Sequence, residues 1–361
     1  IACEWGPLRI LYNNNGQLKE EDRGLGAFPG WWTSVATGDF DEDGRPDIVA
    51  GNLGDNTEYR ATSGRPWKIR FGDLRGAGSC DIVESYFDEA TGEEVPHRTL
   101  RHIGMAFPFV RDVAETFEAY GKSNLKTLYG ERLAGLATWE IRHVLSTVFL
   151  NRGDRFEART LPGEIQWSPV MGLVVADLDG DGHEDIAVSQ NFFGMAPDSW
   201  RRDAGRGAVL RGDGKGGFTP VANSGLRVYG EGRGLAVGDF DRDGRADLLA
   251  AQNGAETQLY RNALARPGLR IQVSRDDGGV GTSLRARAGG TWGPLREIKA
   301  GSGYGSQDSL TTLMSAPGKG NIDALAVRFP RGAWRTNQIS AELREIQIRP
   351  DGSISGTVGK N

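Results

Sequence analysis

Three nine-residue segments share one spacing of aspartates: "DFDEDGRPD" at 39–47, "DLDGDGHED" at 177–185 and "DFDRDGRAD" at 239–247. Carboxylates crowded this closely repel one another, so a fold that uses the arrangement three times must offset the repulsion. Oxygen ligands at alternate positions one, three and five converge on a hard cation as the backbone curls, and a glycine at position six permits the sharp turn. Gly44, Gly182 and Gly244 stand there. The predicted ligands of the first loop are the side chains of Asp39, Asp41, Asp43 and Asp47 with the carbonyl of Arg45. The second set is Asp177, Asp179, Asp181 and Asp185 with the carbonyl of His183, and the third is Asp239, Asp241, Asp243 and Asp247 with that of Arg245. All-oxygen ligation selects Ca2+ over zinc or copper, and Mg2+ suits it less because that ion keeps its waters and a strict octahedron. An acidic, solvated turn explains one such match but not three in the same glycine register. Three calcium ions are therefore expected. A purely structural ion that clamps its hairpin is favoured over one that touches a ligand.

Short aliphatic and β-branched runs flank each loop: "TSVATG", "GLVVA" and "GLAVG" before, "IVAGNLG", "IAVSQNFFG" and "LLAAQNG" after. They have strand length, which separates these loops from the helix-flanked EF-hand. "LYNNNGQL", "FLNRGDRF", "VLRGDGKGGF" and "LYRNALARPG" read as later strands of the same unit, joined by Asn/Gly turns. With 53 glycines in 361 residues and no collagen-like period, tight turns dominate over long helices. A short strand-rich unit repeated along a chain predicts a propeller.

The loops with their flanking strands resemble FG-GAP/VCBS repeats, the calcium-loop blades of integrin-type β-propellers and many bacterial surface proteins. Segment 268–330, with "REIKAGSGYGSQDS" and "ALAVRFPRG", is similar to the ASPIC/UnbV domain that often follows such propellers. It departs from that pattern at Phe329, where Trp is usual, and at "MSAPGKG", which replaces a Gly-Leu-Gly turn. Together the two resemblances cover nearly the whole chain. They imply an all-β fold, with propeller blades over 1–263, a helical insertion at 97–147, and a small β-sandwich-like domain over 264–361. The repeat is specific for fold and calcium and weak for function, since unrelated activities sit on such blades. Ile1 reads as lying inside a strand with no calcium loop before it. The expectation is that upstream blades or a partner chain complete the ring.

A fourth loop, "GDLRGAGSCD" at 72–81, keeps Asp73 and Asp81 but has Arg75 at position three and Ala77 at position five. Two readings stand side by side here: an ordinary exposed turn, or a guanidinium of Arg75 in the cation's place, pairing with Asp73 or Asp81. Within 97–147, Phe107, Val110, Val113, Phe117 and Tyr120 recur at helical spacing. Leu133, Leu136, Ile141, Val144 and Leu145 predict further helical turns. His97, His102 and His143 lie here beside Arg98 and Arg101. Solvation of a helical face explains them better than an anion site, and no Cys/His spacing supports zinc.

Arg152-Gly153-Asp154 and Arg211-Gly212-Asp213 spell RGD where each blade needs a turn, and turn chemistry accounts for both. The long segment "SQNFFGMAPDSWRRDAGRG" offers Asn191, Trp200, Arg202 and Asp203 as ligand candidates, with His143 a further one. Of the nine tryptophans, most are expected at blade interfaces. Cys3 and Cys80 allow at most one disulfide and read as small buried residues. No apolar run is long enough for a bilayer. The net charge of −5 becomes nearly neutral with three divalent cations bound, and no basic arm is present, so a nucleic-acid partner is excluded.

The function these features predict is a calcium-stabilised extracellular, cell-surface or periplasmic binding or adhesion module with a glycan or protein ligand. The rival is a lyase-like enzyme acting on polysaccharide at the propeller mouth, with His143 and the Arg-rich loop at 201–206 as its only hints. A third reading is a structural subunit of a larger assembly. No nucleophile elbow, catalytic triad or P-loop is legible.

Overall fold

Residues 1–197, 199–318 and 320–358 are described by a computed structural model. Asp198 of the long loop and Lys319 of "MSAPGKG" lie outside the described residues. The chain is mostly β, built of many small antiparallel sheets, and divides into two compact units: 1–32 with 58–144, and 33–57 with 145–361.

The second unit contains all three aspartate loops. Its first sheet has the strand order Phe156–Thr160, Thr147–Asn151, Asp47–Gly51, Ser34–Gly38. Asp47–Gly51 pairs directly with Thr147–Asn151, so the whole segment 58–144 is an insertion between the second and third strands of one blade. The second sheet runs Val170–Ala176, Asp185–Gln190, Ala208–Gly212, Phe218–Pro220, and the third Glu231–Gly238, Asp247–Asn253, Ala255–Tyr260.

First strands of the three sheets lie side by side, as innermost strands of propeller blades do. Thr33 and Ser34 both donate their hydroxyls to the Val170 carbonyl, at 2.6 and 2.8 Å. Close approach on the other side requires Gly172, where a Cβ would stand 2.4 Å from Ser189 Oγ and 3.2 Å from the Leu235 nitrogen. Strand Asp185–Gln190 is buried on both faces. Ile186 and Val188 pack with Val49, Val148 and Leu150 of the first sheet, while Ala187 packs with Leu235 and Leu248 of the third. A strand covered on both sides reads as a continuous apolar run, which is what "IAV" at 186–188 shows.

Residues 269–358 add two further sheets around one core. The first is ordered Thr312–Met314, Leu269–Val273, Leu343–Ile348, Ile354–Val358. The second is ordered Thr291–Trp292, Ser283–Ala288, Ala324–Arg328, Arg335–Gln338. Ile271, Met314 and Ile346 of the first meet Leu284, Leu325 and Val327 of the second, as in a β-sandwich.

In the first unit, Ile10–Asn14 and Gln17–Glu21 form a hairpin. Asn15 and Gly16 at its turn have φ of 51° and 90°, as a two-residue primed turn demands. Among the described residues it pairs only with itself, so it is not an outer blade strand. A four-stranded sheet follows, ordered Glu93–Pro96, Asp81–Asp88, Trp67–Gly72, Ala137–Ile141. Three expectations need correction here. The helical insertion contains short helices, Leu100–Ala106, Phe109–Val113, Phe117–Gly121 and Leu125–Tyr129, so the period from Phe107 to Tyr120 does not form one continuous amphipathic helix. Pro108 ends the first, and Thr116 and Asn124 cap the third and fourth through the Ala119 and Thr127 amides. Residues 137–141 are not helical but a strand: Trp139 and Thr138 alternate faces against Ile69 and Arg70. Cys80 is also exposed rather than buried, and both cysteines are free.

Candidate metal centres

All four loops close in one register. Gly38 faces Asp47, Ala176 faces Asp185, Gly238 faces Asp247 and Gly72 faces Asp81, so position nine opens each returning strand. Position six is left-handed, with φ of 84°, 95° and 84° at Gly44, Gly182 and Gly244. Position four is left-handed as well, at Glu42 (59°), Gly180 (77°) and Arg242 (60°). A side chain there costs about 1–3 kcal/mol, so the turn is held by its hydrogen bonds.

Those bonds use the first and last aspartates. Position one accepts the glycine amide of position six on Oδ2 at 3.0 Å in every case: Gly44 to Asp39, Gly182 to Asp177, Gly244 to Asp239. Position nine holds the position-two amide on Oδ2, from Phe40 (2.8 Å), Leu178 (2.8 Å) and Phe240 (2.9 Å). Its Oδ1 takes an amide of the following strand segment, from Asn151 (2.7 Å), Gly212 (2.8 Å) and Asn262 (2.7 Å). Asp47, Asp185 and Asp247 thus pin each loop to the next strand.

Ligand oxygens converge in all three loops. Those of Asp39, Asp41 and Asp43 lie within 4.8 Å of one another, as do those of Asp177, Asp179 and Asp185, and of Asp239, Asp241 and Asp247. In the first loop, Oδ1 of Asp39 and Oδ1 of Asp41 are buried without a hydrogen-bond partner. Burying a carboxylate oxygen unpaired is costly, and a divalent cation among these oxygens removes the cost. The donor set is wholly oxygen and suits a hard ion. These three groups can hold metal ions.

Burial pushes the carboxyls of Asp39, Asp47 and Asp185 up to about 7, and neighbouring carboxylates push the same way. Arginines offset part of the charge. Arg152 pairs with Asp41, Arg211 with Asp179 (2.9 Å) and Asp181 (2.7 Å), and Arg261 with Asp241 and Asp243. Both RGD arginines are therefore committed to aspartate loops, and the Gly212 amide of the second RGD holds Asp185. Arg45 and Arg245 fold back onto Asp43 and Asp243, and their amides bond the same carboxylates. His183 Nδ1 lies 2.5 Å from Glu42 Oε1, tying the second loop to the first; this bond raises the imidazole pKa.

At 72–81 the guanidinium pairs with the last aspartate of the loop. Arg75 reaches Asp81 through Nε (2.9 Å) and Nη2 (2.7 Å), while Asp73 accepts the amides of Ala77 and Gly78 at 2.8 and 2.9 Å. The hydrogen bond from Arg75 holds the Asp81 carboxyl below its ordinary range.

The other candidates serve the loop architecture. Asn191, at φ 87°, is buried. Its amide donates to the carbonyls of Gly205 (2.9 Å), Tyr229 (3.3 Å) and Gly230 (3.0 Å). Its Oδ1 accepts from the Gly205 amide (2.8 Å) and Ser168 Oγ (3.0 Å). Arg202 is buried and its carbonyl takes the Ser168 hydroxyl at 2.9 Å; Asp203 pairs with Arg201, and Trp200 is exposed. His143 belongs to the first unit, where its ring packs on Trp32 and Phe28 with centroids 5.5 and 5.6 Å away. Asn191 and Arg202 are thus brought together around Ser168, while Asp203 pairs with Arg201.

Sequence reasoning missed Glu184. It is buried at the eighth loop position, where the other loops carry Pro46 and Ala246, and that substitution was the available signal. Its Oε2 accepts the Asp39 amide at 2.7 Å and its Oε1 lies 3.3 Å from Arg296 Nε. Burial raises its pKa against the pull of Arg296.

Residues 1–50 and 196–250 match the family model of the FG-GAP-like repeat, and these stretches contain the first and third loops. No curated protein matches the chain.

Proposed function

We propose that this chain is a calcium-stabilised binding or adhesion module working outside the cytoplasm, with a glycan or a protein as ligand. The observation that carries the calcium part is the pair of buried, partnerless oxygens on Asp39 and Asp41 within a converging set of carboxylates. Side chains of Asp39, Asp41 and Asp43, of Asp177, Asp179 and Asp185, and of Asp239, Asp241 and Asp247 would hold one ion each. Ca2+ supplies charge neutralisation there and lets the loops close without protons. Calcium at millimolar levels outside cells suits sites of this kind. The FG-GAP-like match supports a blade-based module, and in this reading residues 264–361 form an ASPIC/UnbV-like domain.

A glycan ligand is favoured by a group of exposed aromatics. Trp167, Phe193, Trp200 and Tyr229 are each about half exposed or more. They stand on three segments that Asn191 and its partner Ser168 stitch together. Amphipathic rings fixed on a tied scaffold present faces on which sugar rings stack. A glycan array of the wild type, Trp167→Ala and Trp200→Ala tests this: binding should fall in both variants. Binding that is absent throughout, together with an absorbance rise on a uronide polymer, would favour the lyase rival instead.

A further inference from the structure

The two oxygens of Asp39 and Asp239 have different neighbours, and the difference leads away from the loops. Asp39 Oδ2 accepts the Leu295 amide at 2.7 Å, while its Oδ1 is left without a partner. Asp239 Oδ2 pairs with the guanidinium of Arg270, whose side chain is only 8% exposed. Leu295 and Arg270 both belong to the C-terminal β-sandwich region. Among the described residues Asp177 has no such partner: its oxygens take the amides of its own loop, from Gly180 (2.7 Å), Asp181 (3.1 Å) and Gly182 (3.0 Å).

The same region grips loop backbone. Arg285 Nη2 donates to the Glu42 carbonyl at 2.9 Å, beside Gly44, and the Gly268 amide donates to the Gly244 carbonyl at 2.8 Å. Amides of Arg266 and Gly318 meet the Asp179 and Asp181 carbonyls at 3.2 and 3.3 Å. A Cβ on Gly182 would stand 2.6 Å from the Ala316 carbonyl oxygen, so the second loop is also tightly covered.

We propose that the C-terminal region supplies the outer half of the first and third cation sites. Leu295 and Arg270 act as positioning residues that turn the inner oxygens of Asp39 and Asp239 toward the ion. Groups that orient a ligand from behind commonly change metal affinity 10- to 100-fold. Coupling between two binding events is reciprocal, so an ion in either loop also holds this region seated. The C-terminal region meets the second loop through its backbone rather than through the first aspartate, so that loop serves as the control for Arg270. This inference rests on the calcium reading above.

The test compares calcium affinity with and without Arg270→Gln in two backgrounds. Asp39→Asn with Asp177→Asn leaves only the third loop; Asp39→Asn with Asp239→Asn leaves only the second. Affinity should weaken about tenfold or more at the third loop and stay constant at the second. Hydrogen exchange on the unaltered protein, in calcium and then in EGTA, covers the case in which the variants fail to fold. Chelation should speed exchange at the Leu295 amide and across 266–270, and leave the buried strand Ala324–Arg328 unchanged. Equal weakening at both loops, or calcium binding with no change at Leu295 and no effect of Arg270→Gln, would overturn the coupling and leave the calcium reading intact. Absence of calcium binding in the unaltered protein would remove the calcium reading itself.

Discussion

Replacing Asp185 with alanine separates the two jobs an aspartate can do in these loops. Asp185 is 1% exposed, and its oxygens hold the Leu178 and Gly212 amides at 2.8 Å each. Alanine leaves both donors without partners. An orphaned buried donor costs about 1–3 kcal/mol. The Leu178 amide is only partly buried and regains some water, so a total of about 2–4 kcal/mol is expected. That loss needs no cation. Asp179→Ala removes a predicted ligand whose carboxylate meets Arg211 at 2.9 Å near the surface; without calcium its cost should stay within about 1 kcal/mol. Urea unfolding of both variants in excess EGTA gives the comparison. Adding calcium should then stabilise the wild type more than Asp179→Ala, whose second site is damaged. Equal losses for the two variants in EGTA would refute the assignment of position nine as the strand pin.

Arg75→Gln should lower the melting temperature by the same amount in calcium and in EGTA, since Arg75 does at 72–81 what an ion does elsewhere; a calcium-dependent difference would contradict this. Asp241→Ala should abolish one calcium equivalent in a titration and leave glycan binding nearly intact, because the ion is read as structural. Glu94 offers a pH probe in the first unit, which contains none of the three aspartate loops. Burial raises its carboxyl, but bonds from Arg70 and Ser85 and the charges of Arg70 and Lys68 outweigh this and leave it lowered. A depressed folded pKa gives stability that is present above the unfolded value near 4.3 and lost as pH falls through the folded one. Wild type should therefore lose its advantage over Glu94→Gln in unfolding experiments as the pH drops below about 4.

The loops and their hairpins were legible because their signals are local. Alternate aspartates, Gly44, Gly182 and Gly244, and short flanking runs all lie within a span of about twenty residues. Arg75 was legible for the same reason, as a cation written into the position of an anion. What failed depended on distance along the chain. Pairing of Asp47–Gly51 with Thr147–Asn151 skips the whole of 58–144, and no pattern at either strand announces its partner. Helical spacing through Tyr120 was extended to Ile141, but Trp139 and Ile141 answer to the sheet edge beside Ile69 and Trp67. Arg270 and Leu295 could not be tied to Asp239 and Asp39, because an arginine in a strand and a backbone amide carry no mark of what they will meet.

Three aspartate loops that each take up a calcium ion should stabilise the blade-bearing unit. Calorimetric titration of chelator-stripped protein with calcium measures that uptake most directly. Three equivalents should bind, one for each group of convergent carboxylates, and the melting temperature should rise as they do. A flat titration, with the same melt in calcium and in excess EGTA, would contradict the account.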